Sequence, residues 1–293
     1  MKLVSFSDTR TSSFGILKGA RVVCLPTLAK VVGQQVPSSP EILIEEGSYS
    51  RVEALLQNST RRELETATYQ VSQLRLLAPI RKPPKIICLG LNYKDHAEEQ
   101  GKTPPDEPVI FMKPGTAIIG TGENIVKPDF VKQLDYEAEL AIVIGKGAKN
   151  ISVEEAKSCI FGYTILNDVS ARDIQFKDRQ WTRGKSFDTF APTGPCITTT
   201  AQLKNPTNLR IRTWVNKQLR QDSTTRNMTL NVFEIVRHLS RVMTLEPCDI
   251  IATGTPAGVG FAMKPQPKFL QDGDVVTIEI EGVGILRNQV RGE

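Results

Sequence analysis

The chain of 293 residues has no apolar run of the length a membrane-spanning helix needs. Its first residues, MKLVSFSDTR, turn polar early and are not Arg-rich, so neither a secretory leader nor a transit peptide is read there. The cytoplasm is the expected compartment. Cysteine is sparse: Cys24, Cys88, Cys159, Cys196 and Cys248 are scattered, odd in number and form no C-x-x-C. That argues against a zinc site or a disulfide framework and leaves buried free thiols as the expectation. No G-K-[ST] follows the Gly-rich TGTPAGVGF (253–261), which argues against a nucleotide phosphate loop. Internal repeats and low-complexity tracts are absent. The net charge of +5 suits an anionic substrate but is too small to argue for nucleic acid, and no nucleic-acid motif is present. The densest basic patch, RKPPK (81–85), reads as a solvated linker.

What remains is the composition of a globular protein, 40% hydrophobic and 24% charged. Pro79, Pro83 and Pro84 can continue neither a helix nor a central strand, so a boundary is expected there, separating a small N-terminal domain (1–78) from a larger one (79–293). The first part mixes strand-like KLVSF, SFGIL and RVVCL with one helix around 49–57. Beyond the prolines, IICLG (86–90), VIFMKP (109–114), ELAIVIG (139–145), GYTILND (162–168) and DIIATG (249–254) read as strands, and DVVTIEIEGVGILRNQV (274–290) alternates like strands. NLRIRTWVNKQLRQ (208–221) reads as a hairpin turning near Asn216 and Lys217. Ser152 with Glu155 predicts a capping box opening the helix VEEAKSCIF. A second helix, 232–243, puts Val232, Ile235, Val236, Leu239 and Met243 on one face. Many strands with few, non-alternating helices predict a β-rich α+β fold rather than a doubly wound parallel sheet.

In LDYEAELAIVIGKG (134–147), Glu137 and Glu139 stand directly before an apolar strand. Residues two apart point the same way in a strand, and two carboxylates ~5 Å apart repel by roughly 3 kcal/mol at an effective dielectric of 20. Burial would neutralise one of them unless a divalent cation took oxygen from both. Taken alone, an E-x-E is more often two solvated glutamates. Asp168 ends the strand before VSARD, as a third oxygen ligand or as a turn Asp bonding its own backbone. Lys185 lies between Gly184 and Ser186, at a site or on the surface. Of the two histidines, His238 falls off the apolar face of its helix and is expected to be exposed. His96 has Glu99 three residues on, the spacing of a shared helical face: a general base held in one tautomer, or an incidental surface pair. The TGTPAGVGF turn offers hydroxyls and backbone N–H groups to a carboxylate, or is only a tight connection.

Seven stretches change these odds by occurring in order: GLNYKDHAEE, PVIFMKP, DYEAELAIVIGKG, NDVSARDIQ, GKSFDTFAPTGP, ITTTAQLKNPTNLRIRTWVN and LEPCDIIATGTPAGVGF. The series resembles the fumarylacetoacetate hydrolase superfamily over roughly residues 80–293, and the leading KLVSF region resembles the branch of fumarylacetoacetate hydrolase domain-containing proteins. The resemblance implies a mostly-β catalytic domain of rolled, barrel-like mixed sheet, a small N-terminal α/β domain, and a homodimer. It implies one Mg2+ (or Mn2+) held by Glu137, Glu139 and Asp168, an active-site lysine at Lys185, and a His96–Glu99 dyad on a lid. Arg172, Gln175 and Thr255 fall on substrate-contact positions. Fumarylacetoacetate hydrolases proper carry a further Asp ligand where Asn92 stands here, which points away from fumarylacetoacetate and toward smaller oxo acids.

The activity so implied is enolate chemistry on a small anionic 2-oxo acid, with the cation as Lewis acid. Three carboxylates, a dication and Lys185 leave such a site near neutral. Oxaloacetate keto–enol tautomerisation is the leading expectation. Hydrolysis of acylpyruvates or other 2,4-dioxo acids and decarboxylation of oxaloacetate share the same enolate. A metal-stabilised, non-catalytic oxo-acid binder is the alternative of another class.

Overall fold

The computed structural model describes residues 1–8, 11–178 and 180–293. Strand Ala138–Ile144 is its centre. The sequence AELAIVI is continuously apolar after its glutamate instead of alternating, the pattern of a strand covered on both faces, and all seven residues are buried. It pairs antiparallel with Ile160–Asn167 on one side and with Ile250–Ala252 on the other. Its side chains alternate between two cores. Leu140, Ile142 and Ile144 join the cluster that includes Ile235, Ile278 and Leu286, while Ala141 and Val143 join the one that includes Phe111 and Leu166. Glu139 has the parity of the second set, and so does Glu137.

The sheet continues from Ile250–Ala252 to Ile86–Gly90, by a parallel pairing, and to Val109–Lys113. In the other direction it runs through Ile160–Asn167 and Ala191–Thr199 into the first strands of the chain. Lys2–Ser7 pairs antiparallel with Ala191–Thr199, placing Leu3 opposite Ile197. Strands Ser12–Lys18 and Arg21–Cys24 follow in order. Against these lie helices Leu25–Val32, Pro40–Glu45, Tyr49–Asn58 and Arg61–Thr66. The sequence suggested one helix here. The other three have eight residues or fewer, too short for a periodic stripe, and two of them start on capping side chains, Ser39 and Thr60.

A second sheet is ordered Gln218–Thr224, Arg210–Val215, Val275–Ile280, Gly284–Gly292 and Asn124–Lys127. It packs on Ala138–Ile144, Ile160–Asn167 and Ala191–Thr199. The architecture is therefore α+β and mostly β, with sheets rolled against each other. Alternate residues of Val275–Ile280 are buried, as the VVTIEI alternation requires. The hairpin turns on Asn216 and Lys217, with φ of 49° and 68°, both in the left-handed region that a two-residue turn of this hand demands.

Helix Val153–Cys159 opens on the expected capping box: Ser152 accepts from the Glu155 N–H, and Glu155 bonds back to the Ser152 N–H. It ends before Ile160 and Phe161, which belong to the next strand because both are buried beside it. Helix Val232–Val242 buries Val232, Ile235, Val236 and Leu239; Met243 is only half-buried. Two surface expectations are corrected. His238 is half-buried, with Nδ1 3.5 Å from the Glu107 carboxylate. Within RKPPK, Lys85 pairs with Glu246 and, at 3.0 Å, with the fully buried Asp249. All five cysteines are free and buried. No helix among the described residues is long and apolar enough to cross a membrane.

Candidate active site

The strand entrance that looked overcharged is buried. Glu137, Glu139 and Asp168 are 6%, 0% and 0% exposed, and each offers a carboxylate oxygen within 4.8 Å of the others. Backbone pairing fixes this. The Glu137 N–H donates to Asn167 Oδ1 at 3.0 Å, and the Asp168 N–H donates to the Glu137 carbonyl at 2.9 Å. The ends of two adjacent strands are thereby locked in register, so three carboxylates from two strands converge.

Their charge is divided among named cations. Lys185, 1% exposed, spans Glu137 Oε2 and Asp168 Oδ2, each at 2.8 Å. Lys113 donates to Asp168 Oδ1 at 2.5 Å and to the Val169 carbonyl at 3.1 Å. Arg172 Nη1 reaches Glu137 Oε1 at 2.7 Å, and its Nε donates to Asp135 Oδ2 at 2.9 Å. Burial opposes the charge on Lys185, but Asp168 and Glu137 outweigh it and hold the ammonium above its ordinary range. Burial likewise opposes ionisation of Glu137, yet Lys185 and Arg172 bring its carboxyl down to about 2. Among the described residues, no cation pairs directly with Glu139. Burial, then Asp168 and Glu137, push it well above the ordinary value, against the nearby Lys185 charge and a bond from the Gly254 N–H to Oε2 at 2.7 Å.

The donor set fits a hard divalent cation: three clustered oxygens, one of them from a carboxyl whose Oε1, among the described residues, is buried without a hydrogen-bond partner. With Glu139 protonated, the carboxylates of Glu137 and Asp168 balance Lys113 and Lys185. A dication with Glu139 ionised leaves one net positive charge, while Arg172 and Asp135 cancel. The near-neutral site expected from the sequence is corrected by Lys113, and the correction favours an anionic guest.

Asp135 holds the other wall. Its Oδ1 accepts from the Tyr136 and Gly260 N–H groups and its Oδ2 from the Phe261 N–H, beside the Arg172 pair. The ring of Phe261 then lies 4.4 Å from the Arg172 guanidinium carbon and edge-on to His96. Among the described residues, Arg172 Nη2 is buried with no hydrogen-bond partner.

His96 sits on helix Lys94–Glu99, 5% exposed, not on a surface turn. Its Nδ1 lies 2.6 Å from Glu99 Oε1, and Glu99 Oε2 accepts from the Gly258 N–H at 2.9 Å. Gly258 has φ of +102°, and a Cβ there would meet the Arg220 carbonyl at 2.1 Å, so glycine is required for this approach. On the other side, Gln100 Oε1 accepts from Lys102, which turns its amide NH₂ toward His96 Nε2 at 2.8 Å. These contacts match the tautomer with its proton on Nδ1 and its lone pair on Nε2. His96, Glu137, Arg172, Gln175, Lys185 and Thr255 line one small cavity, with Glu139 and Asp168 behind it.

The candidate residues of the resemblance thus fall on this cavity or beside it, Glu99 through its bond to His96, whereas His238 does not line it. Asn92 does not join the carboxylates: its amide bonds to the Leu230 and Thr253 carbonyls and the Leu230 N–H. The sequence reading missed Lys113, Asp135 and Gln221. Lys113 and Asp135 differ from surface residues only in abutting apolar runs, and Gln221 was read as the end of a hairpin strand. The TGTPAGVGF turn does hold carboxylates, but they are the protein's own. Gly254 bonds Glu139, Gly258 bonds Glu99, and Gly260 with Phe261 bonds Asp135.

Comparison with known proteins matches residues 85–291 to the fumarylacetoacetate (FAA) hydrolase C-terminal family. The chain is 45% identical over 232 residues to the oxaloacetate tautomerase YisK of Bacillus subtilis, covering 78% of this chain and 77% of that one. Its fold matches the fumarylacetoacetate hydrolase EaFAH of Exiguobacterium antarcticum, with TM-score 0.85, 38% identity and full coverage of both chains. It also matches a maleylpyruvate hydrolase of Sphingobium sp. SYK-6, solved with manganese(II) and pyruvate, with TM-score 0.79 and 32% identity over 100% of this chain and 99% of that one. A non-catalytic binder is set aside by these relatives, and the chain is an enzyme of the fumarylacetoacetate hydrolase family.

Proposed function

We propose that this enzyme is a divalent-metal-dependent oxaloacetate keto–enol tautomerase. The observation that carries the reading is the His96–Glu99–Gly258 arrangement: an imidazole whose Nδ1 meets a clamped carboxylate and whose Nε2 belongs to a cavity lined with cations. Relatives named oxaloacetate tautomerases at about 45% identity support it.

Glu137, Glu139 and Asp168 would hold Mg2+ or Mn2+, which when bound supplies Lewis-acid stabilisation to an oxyanion. The chain's own groups do the rest. Arg172 Nη2 and Lys185 bring positive charge to the substrate's oxygens, with Gln175 and Thr255 orienting it. His96 Nε2 takes the C3 proton of the keto form, and Glu99 stabilises the imidazolium that results. The same proton returns to the 2-oxygen and completes the enol, with no net gain or loss of atoms. Gln100 occupies the Nε2 lone pair and gives way when substrate enters. Phe176 and Phe261, 5.2 Å apart, shield the imidazole side from water.

A hydrolytic second reading is favoured by the maleylpyruvate hydrolase match. There the dyad would activate water against a 4-oxo group, with cleavage of C3–C4. Parallel assays with Mg2+ and Mn2+ separate the readings: oxaloacetate enol absorbance, acetylpyruvate loss and pyruvate release. Acceleration of the keto–enol exchange is expected. Acetylpyruvate cleavage without it overturns the tautomerase reading, pyruvate release from oxaloacetate alone assigns decarboxylation, and no turnover in any channel overturns oxo-acid chemistry.

We also propose that residues 1–78 form a small domain that braces the sheet edge at Ala191–Thr199, that two copies associate, and that the enzyme works in the cytoplasm. Sedimentation would detect the association as twice the monomer mass.

A further inference from the structure

We infer that Gln221 is a positioning residue that makes Thr255 an obligate hydrogen-bond donor to an anionic oxygen of the bound substrate. The inference rests on the oxo-acid reading above and assigns a role to a residue outside the catalytic cavity. Gln221 lies on strand Gln218–Thr224 of the second sheet and is fully buried. Its amide orientation is forced from both ends. The Ala138 N–H can only donate, so the atom 3.1 Å from it is Oε1, which also accepts from Thr213 Oγ1 at 2.8 Å. The Pro256 carbonyl can only accept, so the atom 2.9 Å from it is Nε2.

The other Nε2 hydrogen then goes to Thr255 Oγ1 at 2.8 Å. Since Thr255 accepts there, its own proton must point elsewhere. Among the described residues, its hydroxyl makes no other hydrogen bond, and Thr255 lines the cavity beside Arg172 and Lys185. A guest oxygen without a proton satisfies it; a guest hydroxyl or amine placed there as a donor does not. The same amide grips Ala138, between the two glutamates, so cation ligands and anion donor share one brace.

Gln221→Glu places an acceptor where Nε2 was, and Thr255 turns its proton back toward residue 221. The test measures oxalate affinity in the presence of Mn2+ by calorimetry, for the wild type, Gln221→Glu, Thr255→Val, the double variant and Thr255→Ser. Each of the first two single changes should weaken oxalate about tenfold, the double variant no further than about tenfold, and Thr255→Ser should restore wild-type affinity. Where Gln221→Glu fails to fold, Gln221→Asn takes its place in the cycle, since it is one methylene too short to span Ala138 and Thr255.

Losses that multiply to about a hundredfold in the double variant, or wild-type affinity in the Gln221 variant, overturn the coupling. A brace with only a structural role would weaken oxalate equally in both Thr255 backgrounds. Failure of the folded wild type to bind oxalate overturns the oxo-acid reading itself and this role with it. An additive cycle on a wild type that binds overturns the role of Gln221 alone.

Discussion

Lys113 and Asp168 form an ion pair of 2.5 Å in which both side chains are fully buried. Lys185 takes the other oxygen of Asp168, so each oxygen of this buried carboxylate has a lysine partner. Removing one partner of such a pair leaves a buried charge without compensation, at a cost of about 3–5 kcal/mol. Lys113→Met is therefore expected to lower unfolding stability by that order in denaturant titrations. An unchanged midpoint would show that Asp168 is satisfied without it.

A second expectation concerns protons. Burial, Asp168 and Glu137 raise the Glu139 carboxyl well above 4.5, whereas a cation needs its carboxylate. On the acid side of that raised value each bound cation displaces one proton. Affinity for Mn2+ therefore climbs with pH and levels once Glu139 ionises unaided. Calorimetry in buffers of different ionisation enthalpy should register about one proton released by the wild type. Glu139→Gln should bind Mn2+ weakly and release none. A pH-independent affinity would mean that Glu139 is already ionised in the cation-free enzyme.

The proton-transfer pair makes a third. His96→Gln keeps a side chain at the cavity wall but loses the base, so kcat for oxaloacetate enolisation should fall by about 10²–10⁴. Oxalate affinity should stay within about threefold, because no proton moves in that complex. Glu99→Gln should lower kcat as well, since an amide at that place no longer stabilises the imidazolium. A variant at His96 with wild-type kcat would remove the pair from the reaction.

The legibility of this site follows one physical line. Elements carried by short-range pattern were readable: the continuous run Leu140–Ile144, the alternation of Val275–Ile280, the Ser152–Glu155 box and the Asn216–Lys217 turn. Glu137, Glu139, Asp168 and Lys185 were read through an ordered family resemblance, because no spacing shows that two adjacent strand ends converge. Lys113, Asp135 and Gln221 stayed hidden because their partners are 55, 37 and 34 residues away in sequence, and only strand pairing brings them together. The helices Leu25–Val32, Pro40–Glu45 and Arg61–Thr66 escaped for a different reason, since eight residues or fewer hold too few apolar positions to show a period.

The sharpest expectation sets Glu137 against Glu139. They are the same residue type, two positions apart at the entrance of one strand and facing the same way, and both are proposed to hold the cation. In the cation-free enzyme their environments act in opposite directions. Lys185 and Arg172 keep Glu137 ionised down to about pH 2, so its charge stabilises the fold above 4.5, and that contribution is lost as pH falls through about 2. Among the described residues Glu139 has no ion-pair partner, the Lys185 charge only partly offsets burial, Asp168 and Glu137, and its raised carboxyl makes ionisation unfavourable as pH rises above 4.5. At neutral pH, Glu137→Gln should therefore cost the cation-free protein roughly 3 kcal/mol. Glu139→Gln should leave it as stable as the wild type or more so, because an amide is neutral and retains a donor and an acceptor. Both variants should lose Mn2+ affinity and activity together. Denaturation with and without Mn2+ distinguishes the two effects: equal losses in the cation-free state would mean that Lys185 and Arg172 do not divide the pair as the geometry requires, while a Glu137→Gln protein with wild-type Mn2+ affinity would overturn its assignment as a ligand.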